Sequence, residues 1–88
     1  MPFYIVNRNP NPATLTKPAH HEVHDIGQDQ FPGLLATLRD CLPLQNNWLH
    51  LGFHLNCQSA VEEAMKRPEL TGKAANGCYY CANGCHTM

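Results

Sequence analysis

Charge is scarce in this chain. Asp, Glu, Lys and Arg make up only 15% of its 88 residues, and six basic against seven acidic side chains leave a formal net charge of −1. Without a basic excess nothing drives the chain toward phosphate backbones, so nucleic acid is not an expected partner. Long apolar runs are missing too. No stretch approaches the roughly 20 apolar residues needed to cross a bilayer, and no membrane association is expected. The opening Met1-Pro2-Phe3-Tyr4-Ile5-Val6-Asn7-Arg8 has no basic n-region, and its apolar run is too short for a secretory signal. The expected compartment is therefore the cytoplasm, where thiols stay reduced. Internal repeats, low-complexity tracts and glycine-rich phosphate loops are absent. The zincin motif is absent as well, because His21-Glu22 is followed by a histidine one residue too early, at His24.

What the chain has in plenty is sulfur and imidazole: five Cys and six His. In a reducing compartment five cysteines read as metal ligands, reactive thiols or buried apolar residues rather than a disulfide framework, and the odd count agrees. The length allows one hydrophobic core, hence a single domain over residues 1–88, with an N-terminal strand and proline-rich loop over 1–19 and a metal-binding core over 20–88.

Phe3-Tyr4-Ile5-Val6 is β-branched and aromatic and reads as a strand. Pro10, Pro12 and Pro18 make residues 8–19 an extended loop. His20-His21-Glu22-Val23-His24 reads as a short strand, ended by Gly27 and Phe31-Pro32-Gly33. Leu34, Leu35, Leu38 and Leu42 recur at helical spacing, predicting a helix over 33–42 that stops before Pro43. In residues 48–55 alternation puts Leu49, Leu51, Phe53 and Leu55 on one side and Trp48, His50 and His54 on the other, which is a strand. Ser59-Ala60-Val61-Glu62 has the capping-box form, predicting a helix over 59–67 that ends before Pro68. Residues 69–77 read as a polar loop, and the tail after Cys78 as a turn with at most one helical turn. The expected class is α+β: short antiparallel strands, one or two helices and a C-terminal metal knuckle.

The knuckle rests on Cys78-x-x-Cys81. Two thiolates at this spacing across a tight turn reach one ion, Asn76-Gly77 permits the tight geometry, and turn N–H groups can donate to the sulfurs. A closed site needs four donors, usually from two chain segments. Cys85 and His86 lie close behind Cys81, and His20, His21 and His24 form the second cluster. In a strand His20 and His24 share a face and His21 points the other way, whereas in an irregular or hairpin loop His21 and His24 converge. His24 is the favoured partner, then His21, then His20. The metal candidates are thus His24, Cys78, Cys81, Cys85, His21 and His86, and mixed His and Cys donors indicate Zn²⁺. The competing readings are a solvated histidine patch and buried free thiols. Cys41 and Cys57 read as packing residues, so Cys41→Ser is expected to leave metal content unchanged.

Taken together, His21-Glu22-Val23-His24, Leu51-Gly52-Phe53, Cys57-x-x-Ala60-Val61-x-x-Ala64, Gly77-Cys78-Tyr79-Tyr80-Cys81 and Cys85-His86-Thr87 resemble a group of small, uncharacterised bacterial proteins. More distantly, the layout is similar to the zinc-binding domain of the Ada DNA-repair protein. That resemblance implies a compact α+β fold with one structural zinc. By position it makes His24 the first ligand, Cys78 the third and Cys81 the fourth. The second falls at Gln28, a poor zinc ligand, and residues 33–46 are an insertion relative to the pattern. His21, Cys85 or His86 then replaces the second ligand, or the site is three-coordinate and open, or it is lost. The methyl transfer from DNA phosphate known for Ada finds no support in the low basic content here. The functional expectation is a zinc-binding module with a structural or protein-interaction role. The alternative is a metal- or thiol-dependent enzyme, or a redox switch at Cys78 and Cys81.

Overall fold

The computed structural model describes residues 1–27, 41–70 and 74–87. Among the described residues the frame is a four-stranded sheet with one α-helix packed on it, an α+β domain. The strands are β1 (Phe3–Asn7), β2 (His20–Asp25), β3 (Trp48–Phe53) and β4 (Ala74–Gly77), and their order in the sheet is β3-β1-β2-β4. The helix α1 spans Cys57–Met65. Single 3-10 turns form at Gln45–Asn47, Pro68–Leu70 and Asn83–Cys85.

The central strand β1 owes its place to composition. Phe3, Tyr4, Ile5 and Val6 are all buried, with β2 on one side and β3 on the other, both antiparallel. Such a run, apolar on both faces, belongs in the middle of a sheet covered on both sides. The sheet is mixed rather than purely antiparallel, because β4 runs parallel to β2, pairing His20 with Ala74 through Val23 with Gly77. Ala74-Ala75-Asn76-Gly77 has no β-branched or aromatic residue, which is why the segment reads as loop in the sequence. The ladder, not propensity, makes it a strand.

The two faces differ. Tyr4, Val6, Val23, Leu49, Leu51 and Leu70 pack against Ala60 and Ala64 of α1. Phe3, Ile5, Ile26 and Trp48 form a second cluster, with Leu42 against it. The predicted alternation along β3 holds through Leu51 and then breaks. At a bulge the partners step from Tyr4↔Gly52 to Ile5↔His50, and Gly52 takes φ +87°, a conformation that favours glycine. Beyond it Phe53 leaves the side of Leu49 and Leu51 and meets Phe3 edge-on, ring centroids 5.0 Å apart.

The helix begins earlier than the capping box indicates. Asn56, not Ser59, is the N-cap, and its side chain accepts from the Ser59 N–H at 3.0 Å. Asn is as good a cap as Ser, so the chain takes the earlier start. That puts Cys57 in the first turn, where it forms a disulfide with Cys85, the last residue of the final 3-10 turn, with Cα atoms 6.1 Å apart. Closing a loop of this sequence separation, 28 residues, removes roughly 3–4 kcal/mol of unfolded-chain entropy. Most of the leucine-spaced segment 33–42 lies outside the described residues. Cys41 and Leu42, which are described, form a turn and a bend. Among the described residues no helix is long and apolar enough to cross a membrane.

Candidate metal centre

Strand alternation decides which histidine reaches the site. Val23 points to the helix face, so His20, Glu22 and His24 point to the other. His24 stands opposite Ile5 in the β1–β2 ladder and is 1% exposed. Beyond β4 the ladder runs one step further, the Cys78 N–H donating to the Val23 carbonyl at 2.8 Å. That bond brings Cys78 beside His24. The chain then turns sharply, with the Ala82 N–H on the Cys78 carbonyl at 2.9 Å and the Cys85 N–H on the Ala82 carbonyl at 3.0 Å.

The turn requires Gly77. A Cβ there would run into the Ala82 carbonyl oxygen and would lie 2.8 Å from Cys85 Cβ and 2.9 Å from the Cys85 carbonyl carbon. Close approach, not backbone conformation, sets this requirement. Next to it Asn76, 1% exposed, anchors the tail: its Oδ1 accepts from the Thr87 N–H at 2.9 Å and the Thr87 hydroxyl at 3.0 Å.

The fourth member comes from a segment the sequence reading assigned to packing. Cys41 lies one residue before Leu42, which covers the Phe3–Trp48 cluster, and the Trp48 indole N–H donates to the Pro43 carbonyl at 2.9 Å. These contacts hold Cys41 over the sheet face opposite the helix. The donor atoms of His24, Cys41, Cys78 and Cys81 all lie within 4.8 Å of one another, a group that could hold a metal ion. His24 and Cys78 are buried, Cys41 and Cys81 half-buried.

The other sequence candidates go elsewhere. His21 faces the helix side, its Nδ1–H donating to the Asn7 carbonyl at 2.7 Å. Cys85 is taken by the disulfide, as is Cys57, so neither is the ligand or free packing thiol that the sequence reading made of it. His86 Nδ1 lies 3.0 Å from the Gly77 carbonyl and its ring stacks edge-on to Tyr79, outside the group. His20 Nδ1 donates to the Pro18 carbonyl at 3.0 Å. Gln28 lies outside the described residues.

Burial pushes the Cys78 thiol up from its ordinary range, and N–H groups of Cys81 and Tyr80 aimed at its sulfur oppose that rise. Cys81 is pushed up further, by burial first and the neighbouring Cys78 sulfur second, with the Asp25 N–H opposing. Two crowded thiols in a dry site keep their protons unless a cation takes their place. His24 Nδ1 sits 3.5 Å from Cys81 Sγ, and its Nε2 faces Glu22 Oε2 at 3.9 Å. Glu22 is itself held, through its other oxygen, by the Asn11 side-chain amide. A carboxylate behind a histidine fixes the ring and raises its basicity as a ligand.

The fold and this group together define a small α+β domain with a His/Cys cluster suited to a metal ion. Compared with protein-family models, curated proteins and solved structures, the chain matches none.

Proposed function

We propose that the chain is a zinc-binding module in which His24, Cys41, Cys78 and Cys81 close one structural site. The observation that carries this reading is the convergence of one imidazole and three thiols within 4.8 Å. Zinc favours such a soft and borderline donor set and takes it tetrahedrally. With Zn–S near 2.3 Å and Zn–N near 2.0 Å, a tetrahedral N···S edge is about 3.5 Å. The His24 Nδ1 to Cys81 Sγ separation is 3.5 Å. Four protein donors leave no position for water, so the role is structural or interaction-directed rather than hydrolytic. The near-neutral charge favours a protein partner over nucleic acid. Native mass spectrometry with elemental analysis tests the reading, on protein in which Cys41, Cys78 and Cys81 are free thiols and the Cys57–Cys85 disulfide is closed. One zinc per chain is the expected result; a chain that stays metal-free after zinc is supplied contradicts it.

Two further outcomes follow from the same geometry. Glu22→Gln removes the charge behind His24 without changing its shape. The expected cost is about tenfold in zinc affinity, the low end for such residues because the contact is longer than a hydrogen bond. A chelator competition reads it, and unchanged affinity removes Glu22 from the site's support. The second outcome is a pH dependence. The raised Cys78 and Cys81 thiols are protonated at neutral pH in the metal-free chain, so binding expels two protons there. Affinity then falls as pH falls, by about 100-fold per pH unit from these two groups. Metal-free protein behaves in the opposite sense. Its folded thiols resist ionisation that the unfolded chain undergoes near the ordinary thiol value of 9.0, so stability is lost as pH rises above that value. Thermal melts should therefore rise with pH below 9.0 in zinc and fall with pH above it in chelator.

A further inference from the structure

We propose that the Cys57–Cys85 disulfide is a redox clasp for the metal site: closed, it tightens metal binding, and opened by a thiol reductant, it loosens the metal. The proposal rests on the zinc reading above. Three observations carry it. The loop that the disulfide closes contains Cys78 and Cys81, two of the four donors. The residue it pins, Cys85, stands directly on Gly77, where even a methyl group would lie 2.8 Å from Cys85 Cβ. Cys85 also connects back to Cys78 through consecutive turn hydrogen bonds, Cys85 N–H to Ala82 carbonyl and Ala82 N–H to Cys78 carbonyl. The clasp therefore holds the back of the turn whose front presents the two sulfurs. Opening it frees the chain between α1 and the tail, so ordering the donors around a cation costs more.

The chemistry is ordinary thiol–disulfide exchange. A glutathione thiolate attacks Sγ of Cys57, the half-buried residue of the pair where Cys85 is buried, and Cys85 leaves as thiolate and takes a proton. A second glutathione attacks the glutathione sulfur of the mixed disulfide, releasing Cys57 as a thiol. Two glutathiones become one glutathione disulfide, and two electrons and two protons end on Cys57 and Cys85. None of the four metal donors is consumed, because their sulfurs are separate from the exchanging pair. A bound cation also shields Cys41, Cys78 and Cys81 from joining the exchange.

Coupling of this kind is reciprocal. If the closed clasp tightens zinc binding tenfold, zinc lowers the disulfide's midpoint potential by about 30 mV. The test has two arms. In the first, zinc affinity is measured by chelator competition on the oxidised protein and on Cys57→Ser/Cys85→Ser, which keeps all four donors. The double variant is expected to bind at least tenfold more weakly. In the second, the intact protein is equilibrated in glutathione redox buffers with and without zinc, and zinc is expected to lower the midpoint by about 30 mV or more, the equivalent of at least that tenfold. This arm needs no variant to fold. One zinc per chain with equal affinities and a zinc-independent midpoint overturns the clasp and leaves the metal site standing. An oxidised protein that binds no zinc overturns both.

Discussion

Cys41→Ser is expected to lower zinc affinity by roughly 100-fold or more, since a serine hydroxyl does not replace a thiolate ligand. With zinc in excess, a 100-fold loss of affinity is about 2.7 kcal/mol of stability, enough to lower the melting temperature by roughly 10–20 °C in a domain of this size. The same substitution in chelator should change the melt little, because serine nearly matches cysteine in shape and Cys41 is only half-buried. That pair of melts separates the two roles open to Cys41. A ligand loses stability only when zinc is present. A packing residue loses the same amount with and without it. The packing role follows from reading the segment by its leucines; the placement of the Cys41 thiol within 4.8 Å of His24, Cys78 and Cys81 favours the ligand.

Gly77→Ala is expected to cost about 3 kcal/mol, at the upper end for overpacking a closed site, and a melting-temperature drop of roughly 10–20 °C. The added methyl meets the Ala82 carbonyl oxygen, the Cys85 carbonyl carbon and Cys85 Cβ, none of which is the free end of a flexible side chain. Cys85 is tied by the disulfide, and Ala82 accepts the Cys85 N–H, so neither can move without opening the turn. Zinc affinity should fall together with stability, because Cys78 follows Gly77 directly. Gly84→Ala is the control. Its Cβ would meet only Cys57 Sγ, at 4.0 Å, so the change should stay within about 0.5 kcal/mol. Equal effects at the two glycines contradict the close-approach account of Gly77.

The sequence and the structure agree where periodicity carries the information. Alternation in His20–Asp25 puts His20 and His24 on one face and turns His21 away, and the Cys78-x-x-Cys81 spacing puts both sulfurs on one turn. Cys41 has no such signal. A lone cysteine between leucines and Pro43 looks like core, and only three-dimensional placement over the sheet brings it to the group. One clue was available: a histidine and a CxxC pair leave a tetrahedral site short of one donor, and a cysteine completes it as well as a histidine does. The disulfide was illegible because an expected reducing compartment and an odd cysteine count turn the reading away from disulfides, and because Asn56 rather than Ser59 caps the helix, carrying Cys57 into its first turn. Strand β4 was illegible because Ala-Ala-Asn-Gly becomes a strand only beside β2.

X-ray absorption at the zinc edge tests the central claim most directly. The account predicts three sulfurs near 2.3 Å and one nitrogen near 2.0 Å around a single zinc, with one sulfur lost in Cys41→Ser. A shell of two sulfurs and two nitrogens, unchanged in Cys41→Ser, would contradict it.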